Sequence, residues 1–242
     1  MLIPSERHRP EDLELWAELE EADKVHGARL LRSGKVERSV AALQEFAARG
    51  PCHLCFSGGK DSTALLGVAA MANLPLPIVW FRAIPKHNPD IPAVIEAMGA
   101  AVEIIDYESP VPVRMTSLEA EDIAGRNFLT ACRNYERRQG RRVLGVRADE
   151  SHARRMKMNR WGLTTENSCT PLGWWNAADV FGFLAVQSLP VAPVYAMLGG
   201  GRWPRDRLRI DALMGERGDG SGRAEWEREY YGDVLRRLAT PG

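Results

Sequence analysis

Six consecutive residues, Ser57-Gly58-Gly59-Lys60-Asp61-Ser62, gather the groups needed to hold a phosphate. Two glycines let the backbone turn tightly and aim successive N–H groups at one anion. Ser57, Ser62 and Thr63 add hydroxyl donors, and Lys60 adds a cation. Asp61 is the odd member. A carboxylate beside a phosphate repels it unless a cation stands between them, so Asp61 is expected to hold Mg²⁺ or to orient the loop. The spacing fits neither the Walker loop G-x-x-x-x-G-K-[ST] nor the dinucleotide fingerprint G-x-G-x-x-G.

A second constellation lies further along, in Leu144-Gly145-Val146-Arg147-Ala148-Asp149-Glu150-Ser151 and then Arg154. Gly145 permits close backbone approach. Arg147 and Arg154 are two guanidinium forks suited to phosphate or sulfate oxygens. Asp149 and Glu150 are placed to orient those arginines or to share a metal. Taken alone, the same segment also reads as a strand end laced with surface salt bridges.

The elements that must position these groups follow from the pattern. Residues 11–31 and 36–49 read as amphipathic helices, separated by a break at Ser33-Gly34. From there strand and helix alternate. Strands are expected at 53–56, 76–81, 101–106 and 142–146, and helices at 63–72, 91–98 and 121–139. The phosphate loop thus falls between a strand and a helix whose N-terminus adds orphan N–H donors and a positive dipole end. A further helix, 176–187, is expected with Asn176 as its N-cap, followed by a Pro-rich turn, an Arg/Gly-rich loop over 199–223 and a last helix over 224–238. This rhythm predicts an α/β fold with a doubly wound, mostly parallel sheet and ligands at the carboxyl ends of its strands. The expected organisation is an N-terminal helical segment (1–50), a nucleotide-binding α/β domain (51–198), and a loop with a C-terminal helix (199–242).

Ser-Gly-Gly-Lys-Asp-Ser resembles the PP-loop of the ATP-pyrophosphatase superfamily. Gly145-Val146-Arg147 with Glu150-Ser151 and Arg154 is similar to the G-[VL]-R-x-x-E-S-x-x-R segment of the phosphoadenosine phosphosulfate (PAPS) reductase family. Pro171-Leu172, Trp175, Asp179-Val180, Leu189-Pro190 and Pro193-Val194-Tyr195 resemble that family's next stretch. The resemblance spans about residues 36–197. It implies an adenine nucleotide alpha-hydrolase-like fold and a bound ATP or adenosine phosphosulfate nucleotide, with Mg²⁺. It implies Lys60, Asp61, Arg147 and Arg154 as the catalytic groups and Asp61 as the metal residue. The nucleotide-binding set it implies is Ser57, Gly58, Gly59, Lys60, Asp61, Ser62, Phe81, Gly145, Arg147, Glu150 and Ser151.

Composition narrows the chemistry further. Thirty-two basic residues balance 32 acidic ones, so bulk charge does not mark a nucleic-acid binder, and direct nucleic-acid binding stays open. No apolar run reaches the length of a membrane span, and residues 1–10 are too polar for a secretory signal, which predicts a cytoplasmic protein. Of four cysteines, Cys52 and Cys55 share C-x-x-C spacing, but on a strand they point to opposite faces and read as core. The last 70 residues contain no cysteine, which departs from the tail thiol of assimilatory PAPS reductases. Cys132 alone falls near the first cysteine position of the iron–sulfur branch, so no cluster is expected. After the second strand, Phe81-Arg82-Ala83-Ile84 and Lys86-His87-Asn88 stand where relatives carry Asp-Thr-Gly, and these side chains are expected to overhang the adenosine site.

Three functions are compatible with these residues. The first is adenylation of a substrate with pyrophosphate release, in sulfur transfer or nucleic-acid modification. The second is phosphosulfate reduction with a thiol borrowed from outside the chain. The third is a non-catalytic nucleotide-binding subunit that works with a protein partner or as a homo-oligomer.

Overall fold

The computed structural model describes residues 1–110, 117–210, 212–213 and 222–239. Five strands, β1 (Cys52–Cys55), β2 (Ile78–Ile84), β3 (Val102–Glu108), β4 (Arg141–Val143) and β5 (Ser168–Cys169), form one sheet in the order β3-β2-β1-β4-β5. Every pairing is parallel. The helices are α1 (Pro10–Leu30), α2 (Lys35–Ala48), α3 (Lys60–Met71), α4 (Ile91–Met98), α5 (Ser117–Gln139), α6 (His152–Trp161), α7 (Ala177–Val186) and α8 (Arg223–Ala239). The strand order reverses direction between β1 and β4, and that switch point is where an open parallel sheet binds ligands.

The pattern behind the expected α/β architecture is visible in burial. In α3 the run from Ser62 to Ala69 is buried, because the helix packs against both α2 and α7. One apolar core extends from Trp16 and Phe46 through Leu54, Leu65 and Phe183 to Trp226, so the N-terminal and C-terminal helices pack on the same centre as the sheet. Asn176 caps α7 as expected, accepting from the Asp179 amide at 2.8 Å, while the Asp179 carboxylate accepts from the Asn176 amide at 2.9 Å. The same buried carboxylate takes Lys35 at 2.6 Å and His26 at 2.9 Å, tying α1 and α2 to α7. These donors hold its pKa below the usual carboxylate value although burial alone would raise it. Among the described residues no helix is long and apolar enough to cross a membrane.

Several boundaries differ from the expected ones. α3 starts at Lys60 rather than Thr63, so half of the phosphate loop is the helix's first turn. β2 continues to Ile84, which puts Phe81 and Arg82 inside the strand. β4 ends at Val143, and the chain then leaves the sheet toward the loop. Two elements were not expected. β5 has two residues, too few to show alternation, and α6 buries only Met158, so it has no apolar stripe to betray it. In the stretch 199–223, the described part has no regular structure, and residue 211 with 214–221 lies outside the described residues.

His53 sits in β1, 1% exposed, with its ring edge-on to Tyr135 at 4.8 Å. Burial lowers its pKa from 6.5 to about 4. The folded state therefore refuses a proton that the unfolded chain accepts below 6.5. Stability from this residue is complete above that pH and is lost as pH falls toward 4, by on the order of 3 kcal/mol. Thermal melts between these limits should show this slope in the wild type, and His53→Phe, which keeps a ring against Tyr135, should flatten it.

Candidate nucleotide-binding site

The loop between β1 and α3 is shaped by two glycines with different tasks. Gly58 takes φ +76°, the left-handed region that side chains avoid, and a Cβ there would lie 3.1 Å from Ile91 of α4. Gly59 is the N-cap of α3 in extended conformation. Ser62 Oγ donates to the Gly59 carbonyl at 2.9 Å and accepts from the Ser57 amide at 3.2 Å, folding the loop back on the helix start. The Lys60 amide donates to the Tyr195 hydroxyl at 3.0 Å. Among the described residues the Gly59, Asp61 and Ser62 amides donate to no protein group, which leaves them as candidate donors to an anion.

The second constellation meets this loop at backbone distance. A Cβ on Gly145 would stand 2.9 Å from the carbonyl carbon and oxygen of Asp61, so only glycine lets the exit of β4 lie against the loop. Arg147 follows, with its side chain only 3% exposed. Its Nε donates to Asp61 Oδ1 at 2.6 Å and its Nη1 to Asp149 Oδ2 at 3.2 Å. Asp61 Oδ2 accepts from Lys60 Nζ at 3.0 Å. Glu150 Oε2 accepts from the Arg147 amide at 3.0 Å and pairs with Arg154. Three cations and three carboxylates thus alternate along one wall. Asp149 and Glu150 orient the arginines. The first turn of α6 is capped by Ser151, whose Oγ accepts from the Arg154 amide at 3.2 Å.

Two cavities open at the carboxyl ends of the strands. A cleft of about 1050 Å³ is lined by Ser57, Gly59, Lys60, Asp61, Gly145, Arg147, Glu150 and Arg154, with Tyr195 and the segment from Arg202 to Ile210 on its far side. A pocket of about 410 Å³ is lined by Phe56, Trp80, Phe81, His87, Tyr107, Phe128 and Ser62. They share Ser57, Gly145, Val146 and Ile210, so the two are contiguous across the loop. The first is lined by charged forks. The second is lined by rings, with Phe81 edge-on to Phe128 at 5.8 Å and to Tyr135 at 5.9 Å.

Of the residues expected at the site, Ser57, Gly59, Lys60, Asp61, Ser62, Phe81, Gly145, Arg147, Glu150 and Arg154 line one cavity or both. Gly58 packs on α4 and Ser151 caps α6, and neither lines a cavity. Of the side chains expected to overhang an adenosine site, Phe81, Ala83 and His87 line the aromatic pocket. Arg82 does not: its side chain lies on the outer edge, paired with Asp106 at 2.7 Å, because alternation along β2 turns it away from Phe81.

Two contributors were missed in the sequence. Tyr195 stood out only as an aromatic anchor, yet its hydroxyl holds the loop amide and its ring lies under Lys60 Nζ at 5.3 Å. The segment 199–210 carries no periodicity, yet it straps over the loop, with Ile210 against Gly59. Buried polar clamps hold it. Asp12 accepts from the Gly200 amide at 2.9 Å and from Tyr230, Arg205 forms a two-pronged pair with Asp23 at 2.6 Å, and beyond it the Leu213 amide donates to the Lys86 carbonyl at 2.8 Å.

A metal ion would find Asp61 as the nearest loop carboxylate. Among the described residues no three His, Cys, Asp or Glu side chains cluster to hold a metal unaided. This donor set suits Mg²⁺ carried by phosphates, which takes one or two carboxylates and completes its shell from phosphate and water. All four cysteines are free, and burial raises their pKa values, to about 12 for Cys55 and Cys169 and about 11 for Cys132. Cys55 alone lines a cavity, the aromatic one.

The sequence model of the phosphoadenosine phosphosulfate reductase domain matches residues 51–198. No curated protein matches the chain. Solved structures similar in shape include a phosphoadenylyl-sulfate (PAPS) reductase from Candida auris in complex with phosphate, at 13% identity and a TM-score of 0.48, covering 63% of this chain and 81% of that one. An NMN synthetase from Francisella tularensis has 10% identity and a TM-score of 0.45, covering 86% and 95% of the two chains. The U34-tRNA thiolase NcsA from Methanococcus maripaludis has 12% identity and a TM-score of 0.45, covering 85% and 77%.

The contact between Asp61 and Arg147 should be measurable as a coupling. Arg147→Ala strands a largely buried carboxylate and should destabilise the fold by about 3 kcal/mol. Asp61→Asn in the same chain should recover part of that loss. A double-mutant cycle in urea melts should give at least about 1 kcal/mol of coupling, whereas additivity within about 0.5 kcal/mol would remove the pair from its bridging role.

Proposed function

The chain belongs to the phosphoadenosine phosphosulfate reductase domain family of the PP-loop ATP pyrophosphatases, and on that premise we propose that it binds ATP across its two cavities and adenylates an acceptor, releasing pyrophosphate. The observation that carries this reading is the contiguity of an aromatic pocket with a phosphate cleft that contains no thiol. The adenosine ring system stacks among Phe81, Tyr107 and Phe128, and the triphosphate crosses Ser57 and Gly145 into the cradle of loop amides.

In this reaction an acceptor oxygen attacks the α-phosphorus, the bond from that phosphorus to the bridging oxygen breaks, and pyrophosphate leaves with the electron pair. The protein's share is positioning and electrostatic stabilisation. The Gly59, Asp61 and Ser62 amides and Lys60 hold the departing pyrophosphate. Arg154, 39% exposed in its side chain, reaches oxygens nearer the cleft mouth, and buried Arg147 fixes Asp61 so that Lys60 points into the cradle. Asp61 would be the residue to hold a Mg²⁺ carried by the triphosphate, and such an ion would supply further neutralisation of phosphate charge. No protein nucleophile is needed, which agrees with thiols that burial keeps protonated.

The family name supports a second reading, reduction of a phosphosulfate by an external thiol, and one set of assays divides the two. Mg-ATP should raise the melting temperature, with about 2.7 kcal/mol of stabilisation at a hundredfold excess over Kd, and Lys60→Ala should abolish the rise. With acceptor fractions supplied, pyrophosphate should form in equal amount to adenylated acceptor, and AMP should appear as a second nucleophile or water displaces it from that adduct. Sulfite release from PAPS in the presence of thioredoxin or glutathione, without AMP formation from ATP, would replace adenylation by reduction. Nucleotide-induced stabilisation with neither product, even with a copurified protein partner, would leave a binding subunit.

A further inference from the structure

The chain is neutral overall, but its charges are segregated. α1 carries seven acidic and two basic residues, whereas α6 carries Arg154, Arg155, Lys157 and Arg160 and no acid. Arg154 points into the cleft, paired with Glu150. Arg155, Lys157 and Arg160 are exposed, and none has an ion-pair partner among the described residues. A solvated helix of ordinary composition intersperses both signs at a spacing of three or four residues, and that arrangement is missing.

Aromatic surface accompanies the charge. Arg154, Lys157 and Trp161 fall at i, i+3 and i+7, one stripe that starts in the cleft and runs outward along the helix. Trp161 is 56% exposed, with the Arg160 guanidinium 4.8 Å from its ring centre. Trp174 is 47% exposed in the turn before α7, and the first residue of that helix, Ala177, lines the cleft. α6 itself is anchored beneath by Met158, which lies against Thr170 and Gly173. Across the cleft, Arg207 and Arg209 are exposed and also without ion-pair partners among the described residues.

Unpaired cations beside exposed flat rings match one class of ligand, a polyanion whose units carry π faces. We propose that α6 docks an unpaired, single-stranded segment of nucleic acid, with phosphates on Arg155, Lys157 and Arg160 and bases stacked on Trp161. The stripe's origin in the cleft implies that the group to be activated is carried on that strand. This last clause rests on the adenylation reading; the docking surface does not. A duplex hides its base faces and an acidic protein offers none, so neither uses the tryptophans.

The test is fluorescence anisotropy of the full chain with a labelled single-stranded oligonucleotide of about 12 nucleotides, as DNA and as RNA, across a salt series. Binding should weaken with salt, with a log–log slope of roughly −2 to −3.5 for three to five neutralised phosphates. Charge reversal in Arg155→Glu/Lys157→Glu/Arg160→Glu should weaken binding at least about tenfold and flatten the slope by about 2. Trp161→Ala should weaken it by about fivefold to a hundredfold, with the slope unchanged. Each variant should keep its ATP-induced melting shift, which shows that the fold and the nucleotide grip are intact.

No binding at about 50 mM salt would overturn the proposal. So would binding that Trp161→Ala leaves untouched, or that duplex DNA or polyglutamate competes for equally well; either result would reassign the surface to charge alone. Oligonucleotide binding without any ATP shift would refute the adenylation reading and leave the docking surface standing.

Discussion

A carboxylate placed inside a phosphate cradle is the constraint around which this site is built. Asp61 stands in the first turn of α3, where the helix dipole favours a negative charge but an arriving phosphate does not. The conflict is resolved by matching it with cations on both sides, Lys60 from its own loop and Arg147 from the exit of β4. Because Arg147 is almost fully buried, the pair has one available geometry, and it joins two strands that the sheet already sets side by side. Gly145 is the steric consequence. The backbones must approach to within a Cβ's radius for the guanidinium to reach, so no side chain fits there.

That arrangement also fixes how charge is distributed along the cleft. The inner wall is neutral before any ligand enters, with Lys60, Arg147 and Arg154 set against Asp61, Asp149 and Glu150. A neutral but polarised wall holds its donors in place without the mutual repulsion of an all-basic one, and low dielectric strengthens each contact once water leaves. On the proposed reading, net attraction for an anion then comes from elsewhere, from the open amides of the loop and from the arginines of the strap. Binding strength and binding geometry are therefore supplied by different parts of the chain.

The sheet and loop were legible in the sequence because their physics is local. Gly58-Gly59 between an apolar strand and an all-round apolar helix admits one arrangement, and Asn176 with Asp179 declares a helix start by its own hydrogen bonds. The precise start of α3 was not legible, since a hydroxyl 135 residues away, on Tyr195, meets the Lys60 amide. Arg82 was misplaced for the opposite reason. β2 runs three residues beyond its apolar stretch because β3 pairs with it through Ile84, and that pairing decides which side chains face the pocket. α6 escaped notice because a helix with one buried residue has no period to read. The ordering of the strap depends on Asp12, Asp23 and Tyr230, residues distant in sequence whose types suggest only surface polarity.

This division between legible and hidden parts follows the division of labour in the molecule. An adenine nucleotide presents the same phosphates and ring wherever it binds, so the elements that meet it can be specified by short local motifs. On the proposed reading the acceptor faces the other wall, which residues 199–210 of the strap and the outward face of α6 provide. Neither is held by periodic burial. The strap is held by buried carboxylates that accept from the Gly200 amide and from Arg205 and by Trp203, Leu208 and Ile210 sunk in the core, and α6 by a cap at Ser151 and a single methionine. Such elements can change their outward side chains without disturbing the core, because almost none of those side chains contributes to it. On that reading substrate choice is concentrated where packing constrains sequence least, and Arg155, Lys157, Arg160, Arg207 and Arg209, without ion-pair partners among the described residues, lie on that wall.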